Sequence, residues 1–168
     1  MQADELRALQ GPLKEQYRED PGAALVTLSA EARLDAPGVS CRVDTGRALV
    51  EAGLHPATGG SGLQACSGDM LLEALAACAG VTLRAVATAL DIPVSGGVIR
   101  AEGDLDFRGT LGVAKDAQVG FGAIRLGFDL VSDANAEQLE TLLKLTERYC
   151  VVLQTLRTPP VVTLVTAS

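Results

Sequence analysis

The sequence predicts an α+β domain, and three observations carry that prediction. Candidate strands and helices come in blocks rather than in strict alternation, which argues against a doubly wound parallel sheet. The run from Ser67 to Leu90 consists of good helix formers and is apolar almost all the way round, as helices at the centre of a domain are. Candidate strands stand before and after it, several with the apolar/polar alternation of a sheet that buries one face.

Taken in order, residues Ala3 to Arg18 place Leu6, Leu9, Leu13 and Tyr17 at helical spacing, so a short amphipathic helix is expected. Asp20-Pro21-Gly22 ends it. Residues 1–20 are thus read as a helical extension ahead of a domain spanning 21–168. A first strand is expected from Ala24 to Leu28 onward, then a turn at Asp35-Ala36-Pro37-Gly38 and a return strand from Val39 to Val43. A second turn at Asp44-Thr45-Gly46 and a third strand over 47–52 complete a meander. The glycine-rich stretch 53–68 reads as a flexible connector into the central helix. It lacks the lysine-bearing phosphate-loop pattern, and no strand runs directly into its glycines. Ser67 or Asp69 is the expected cap of that helix, and Asp91-Ile92-Pro93 its end. Val98 to Phe107 alternates as a strand, with Val98, Arg100, Glu102, Asp104 and Asp106 on one face; 108–118 reads as a loop. Val119 to Leu130 is a further strand, apolar at Phe121, Ile124, Leu126, Phe128 and Leu130. The segment Ser132-Asp133-Ala134-Asn135 caps a second long helix with Leu139, Leu142, Leu143 and Leu145 as its stripe. Thr158-Pro159-Pro160 is the expected break, and 161–165 a closing strand.

Composition narrows the function. The chain has 168 residues, enough to bury a core without disulfides or metal. Aromatics make up 3% with no Trp, so the core must be aliphatic and alanine-rich. A net charge of −7 argues against nucleic acid or an anionic membrane surface as partner. No uncharged stretch of membrane-spanning length is present, and the polar N-terminus does not read as a secretory signal. A cytoplasmic location, with Cys41, Cys66, Cys78 and Cys150 reduced, is the expectation. One histidine, His55, and no C-x-x-C pair offer no zinc site, so neither metal nor organic cofactor is implied.

The thiols remain as candidate chemistry. A lone buried cysteine commonly serves as a small hydrophobe. Cys78, however, sits in the central helix together with Gly80 and Thr82, and Cys150 lies where the second long helix ends. Glu147 precedes Cys150 by one helical turn and Arg148 is nearby, which puts polar groups beside a thiol at the edge of the core. Two such helices packed together would bring the thiols within bridging reach. Cys41 and Cys66 have no such setting.

The segment LLEALAACAGVTL resembles the first cysteine helix of the OsmC/Ohr family of thiol peroxidases, and Glu147 to Leu156, ERYCVVLQTL, resembles that family's second cysteine segment. The resemblance covers roughly residues 24 to 166. It implies an OsmC-like fold: antiparallel sheets around two long central helices, in an intertwined homodimer. It also implies a reaction. Cys78 attacks an organic hydroperoxide as thiolate and becomes a sulfenic acid; Cys150 condenses with it to a disulfide; a dithiol returns the electrons. The family's activating arginine stands on an early strand, where Arg33, at the strand's end beside a turn, is preferred over Arg42 and Arg47. Glu147 is the candidate carboxylate partner, because Gly68 and Asp69 stand where the best-known peroxidases carry a glutamate. Glu73, five residues before Cys78, lies about 140° round the helix from it. Proline normally follows the second cysteine; here Val151 does. A non-catalytic dimer of the same fold that binds an apolar small molecule is the rival reading.

Overall fold

The computed structural model describes residues 3–33, 42–43 and 52–160. The turns expected at 35–38 and 44–46, most of the strands over 39–43 and 47–52, Cys41, Arg47 and the closing strand at 161–165 lie outside these residues.

Within them the architecture is α+β. Helix α1 (Ala3–Glu19) is followed by a 3-10 turn (Pro21–Ala24), strand β1 (Leu25–Arg33) and the short β2 (Arg42–Val43). A second 3-10 turn (Pro56–Thr58) leads to the central helix α2 (Ser67–Ala89). Then come β3 (Val94–Asp106), a single helical turn α3 (Phe107–Thr110), β4 (Phe121–Ser132), α4 (Ala136–Tyr149) and α5 (Val151–Thr155). The strands form one antiparallel sheet in the order β2-β1-β3-β4. Its register pairs Leu25 with Asp106 and Arg33 with Val98 across β1 and β3, and Ile99 with Phe128 across β3 and β4.

Alternation in β3 sorts its two faces. Ile99, Ala101 and Leu105 are buried under α2, while the polar set Arg100, Glu102 and Asp104 stays on the open face as expected. There Arg125 of β4 grips Asp104, with Nη2 2.9 Å from Oδ1, and the Thr27 hydroxyl donates to the same carboxylate at 2.8 Å. The Arg125 hydrogen bonds, aided by Thr27, hold the Asp104 carboxyl down to about 2. This is a solvated cross-strand ion ladder, in which Arg125 also reaches Glu102 at 3.6 Å and Arg100 reaches Asp129 at 3.9 Å.

The core is aliphatic and alanine-rich. Leu72, Leu75, Ala76, Ala79 and Leu83 of α2 have no exposed surface, and neither does Leu142 of α4. Each such leucine contributes about 1.5–3 kcal/mol by leaving water. Helix α2 has the length and hydropathy of a membrane span, with mean hydropathy 1.6, but one face of it lies on the sheet. Its opposite face is bare: Met70, Ala74, Val81 and Ala85 recur at helical spacing and are exposed, Val81 to 41%.

Several elements differ from the sequence expectation for identifiable reasons. In α1, Tyr17 is buried and donates its hydroxyl to the Ala57 carbonyl at 2.7 Å, but Leu9 of the expected stripe is largely exposed. The stretch read as a flexible connector holds a tight turn, with the Gly60 N–H on the His55 carbonyl at 3.1 Å. A Cβ at Gly60 would stand 1.7 Å from the Leu54 carbonyl oxygen, so close backbone approach is what requires glycine there. Neither Ser67 nor Asp69 caps α2. Its N-cap is Cys66, with no side-chain bond, and Asp69 acts through its charge in the first turn. Asn135 does cap α4, in a reciprocal box with Gln138 (2.9 and 3.0 Å). The loop expected at 108–118 opens with α3, capped by Asp106 accepting the Arg108 N–H.

The second long helix departs most. It stops at Tyr149, well before the prolines, because Cys150 turns extended (φ −69, ψ 102) and α5 starts immediately after it. Two β-branched valines follow Cys150, and such residues propagate a helix poorly. The buried stripe of α4 also runs differently, through Leu142, Thr146 and Cys150, leaving Leu143 partly exposed.

Candidate active site

Cys150 owes its position to that break. It is at once the C-cap of α4 and the N-cap of α5, and its side chain is fully buried against α2. The first amides of a helix have no partner within it. The Val152 and Val151 N–H groups at the start of α5 lower the Cys78 pKa, and those of Leu153 and Val152 lower that of Cys150. Cys78 comes from α2, half-buried on the flank between the helix's buried face and its bare stripe. Thr82, one turn further along α2, also lowers the Cys78 pKa.

The two thiols are free, and each shifts the pKa of the other. Their electrostatics are unequal. Burial pushes the Cys78 thiol up, but the donors from Val152, Cys150, Thr82 and Val151 outweigh it, so its pKa lies below the ordinary thiol value. Cys150 is pushed up to about 11. Burial is the main cause, the Leu153 N–H opposes it, and the negative charge on Cys78 adds to it. Cys78 is therefore the more acidic thiol of the two and gives up its proton first. Such a pair can present a nucleophilic sulfur to an electrophile and hold a second sulfur beside it.

Of the four site residues expected from sequence, the structure brings Cys78 and Cys150 together. Glu147 does not join them. Its side chain is 60% exposed and ion-paired with Arg157 at 2.9 Å. The Arg33 backbone ends β1 opposite both Arg42 and Val98. Sequence reasoning missed the α5 amides. The signal available for them was Val151 itself, a residue with an N–H where proline would have none.

A cavity of about 530 Å³ opens between β4 and the α4–α5 hinge. Leu126, Phe128, Leu143 and Leu153 give it apolar surface, Glu140, Lys144 and Glu147 line it as well, and Thr146 lies against it. The Thr146 hydroxyl is fully buried and finds no hydrogen-bond partner among the described residues. An isosteric Thr146→Val change removes a desolvated hydroxyl while keeping its shape. It should raise stability by about 1–3 kcal/mol, read as a higher Tm in thermal unfolding. A loss of stability would mean that the hydroxyl is satisfied.

Comparison with known proteins places the fold. A family model for OsmC-like proteins matches residues 60–165. Among solved structures, an OsmC-like hydroperoxide resistance protein from Jannaschia sp. CCS1 superposes with a TM-score of 0.60 at 16% identity, covering 83% of this chain and 91% of that one. No curated protein sequence matches the chain.

Proposed function

The chain belongs to the OsmC-like protein family, and from that premise we propose that it is a thiol-dependent peroxidase that reduces organic hydroperoxides with Cys78 and Cys150. The observation that carries the reading is the unequal thiol pair, Cys78 with its pKa below the ordinary thiol value beside Cys150 with its pKa pushed up to about 11. A thiolate is the species that attacks a peroxide, and a neighbouring thiol traps the sulfenic acid before further oxidation.

In the proposed reaction the Cys78 thiolate takes the terminal hydroxyl of R–O–OH. The O–O bond breaks, and the alkoxide leaves with a proton as the alcohol. Cys150 then attacks the sulfenic sulfur, a disulfide forms and water departs. A dithiol reduces the disulfide and is itself oxidised. The order is built into the charges. While Cys78 is anionic it raises the Cys150 pKa by both its charge and its hydrogen bond. Once Cys78 is oxidised both effects vanish, while the Leu153 and Val152 N–H donors remain, so Cys150 ionises more easily when it is needed. Arg33, at the end of β1, is assigned the cationic role toward the peroxide; Glu147 is given no part in the thiol site, being paired with Arg157 at the surface.

The active unit is proposed to be a homodimer in the cytoplasm. The bare stripe of α2 supports this: Met70, Ala74, Val81 and Ala85 are small or apolar, and a second α2 laid against them would come close and wall the flank on which Cys78 lies. Val81→Glu puts a charge in that seam and should weaken association by about a hundredfold or more. Sedimentation should show a dimer for the wild type and a monomer for the variant. A monomeric wild type would refute the arrangement.

A non-catalytic role in binding a small molecule keeps one observation in its favour, the cavity between β4 and α4. Incubation with cumene hydroperoxide and a dithiol distinguishes the two. The peroxidase consumes peroxide catalytically, and a binding protein leaves it intact.

A further inference from the structure

His55, the chain's single histidine, organises the turn on which helix α1 is held. Its carbonyl accepts from the Thr58 N–H at 2.8 Å, the Thr58 hydroxyl at 2.9 Å and the Gly60 N–H at 3.1 Å. Its ring caps the same 3-10 turn from the other side, with Nδ1 accepting the Ala57 N–H at 3.0 Å. A neutral imidazole accepts at one nitrogen only, so this bond fixes the tautomer with the hydrogen on Nε2. The ring is also held from behind, stacked on Phe107 with centroids 4.8 Å apart. Among the described residues, two hydrogen bonds tie α1 to the rest of the domain, and both land on carbonyls of this turn. Tyr17 donates its hydroxyl to Ala57 at 2.7 Å, and Gln10 its side-chain amide to Thr58 at 3.2 Å. Helix α1 depends on that support. Pro12 interrupts it, next to Gly11, and leaves two short halves that are marginal in water alone.

We propose that His55 is a pH-sensitive clasp, whose protonation undoes the cap on the Pro56–Thr58 turn and releases α1 from the domain. It is separate from the thiol site and rests on none of its chemistry. An imidazolium carries hydrogen on both nitrogens and accepts nothing. Its Nδ1–H would face the Ala57 N–H, donor against donor. The stack on Phe107 keeps the ring in place, because a cationic ring also binds an aromatic face. The turn yields instead, and the carbonyls that anchor Tyr17 and Gln10 move with it. The docked state needs the neutral ring and the released state takes either form, so docking is lost as pH falls through the histidine range of about 8 to 5. The charges around the ring come from three directions. Cys66, at the start of α2, is the titratable group among the described residues lining the cavity beside His55, and Asp69 follows in that helix's first turn. Asp106 and Arg108, on either side of Phe107, bind each other at 2.6 Å. On α1, Lys14 and Tyr17 share the face that carries Gln10.

The test is amide hydrogen exchange of the full reduced chain near pH 7.5 and pH 5.5, read by mass spectrometry and corrected for the intrinsic rate at each pH. In the wild type, protection of residues 3–19 should fall about fivefold to tenfold at the lower pH. Peptides from 72–83, in the buried part of α2, should keep theirs, which separates release of α1 from general unfolding. His55→Asn supplies a capping oxygen that does not titrate, and should hold α1 equally at both pH values. His55→Ala, with no acceptor, should show the low protection at both. Equal protection of α1 at the two pH values in the wild type would overturn the proposal. So would the same fall in His55→Asn, which would assign the transition to other groups. If His55→Ala fails to fold, the wild type and His55→Asn decide.

Discussion

Replacing Cys78 by serine will lower hydroperoxide consumption by about a thousandfold or more. A serine hydroxyl is not ionised at neutral pH, and the four donors that favour a thiolate cannot bring it there. The variant should fold as the wild type does, since Cys78 is only half-buried and serine is nearly isosteric. It should also lose the fast alkylation at pH below the ordinary thiol range that marks the wild-type chain. The check is peroxide loss under pseudo-first-order conditions, with circular dichroism as the folding control. Full turnover in the variant would assign the nucleophile elsewhere.

Cys150→Ser will separate the first chemical step from the second. Its hydroxyl keeps a hydrogen-bond donor beside Cys78, so the thiolate survives and the first peroxide is still reduced. No sulfur is left to close the disulfide, however. Steady-state turnover with a dithiol should fall by about a hundredfold, and excess peroxide should drive Cys78 to sulfinic acid, visible by mass mapping. Cys78 that remains at the thiol or sulfenic level under excess peroxide would contradict the resolving role. The pH dependence of the wild type carries the same asymmetry. Alkylation of Cys78 should reach its plateau at a pH below that of an ordinary thiol. That of Cys150 should lag behind it to higher pH, because burial holds its proton.

Much of this fold is legible in the chain because its signals are local. The all-round apolarity of Ser67–Ala89 marks a core helix, the alternation from Ile99 to Leu105 marks a one-sided strand, and Asn135 with Gln138 marks a helix start. The register of β1 on β3 depends on the sheet as a whole and has no local mark. The site is legible in part. Two cysteines on two helices are visible in sequence, and so is their order. The break at Cys150 is not, because the mild reluctance of Val151 and Val152 to propagate a helix is decided by packing against α2. That break determines which residues matter. It starts α5 directly after the buried Cys150 and brings round Arg157, which pairs with Glu147 at the surface. The Leu143 and Leu145 expectation failed for a related reason: Thr146, polar in sequence, takes the buried position on the face shared by Leu142 and Cys150.

The central claim, a paired and unequal thiol site that reduces peroxide, is tested most directly by one stoichiometric experiment. Reduced chain is mixed with one equivalent of cumene hydroperoxide, its free thiols are titrated, and the cysteines are mapped by mass. The account predicts rapid loss of two of the four thiols per chain, with Cys78 cross-linked to Cys150. Four thiols still free after exposure to the peroxide would contradict it.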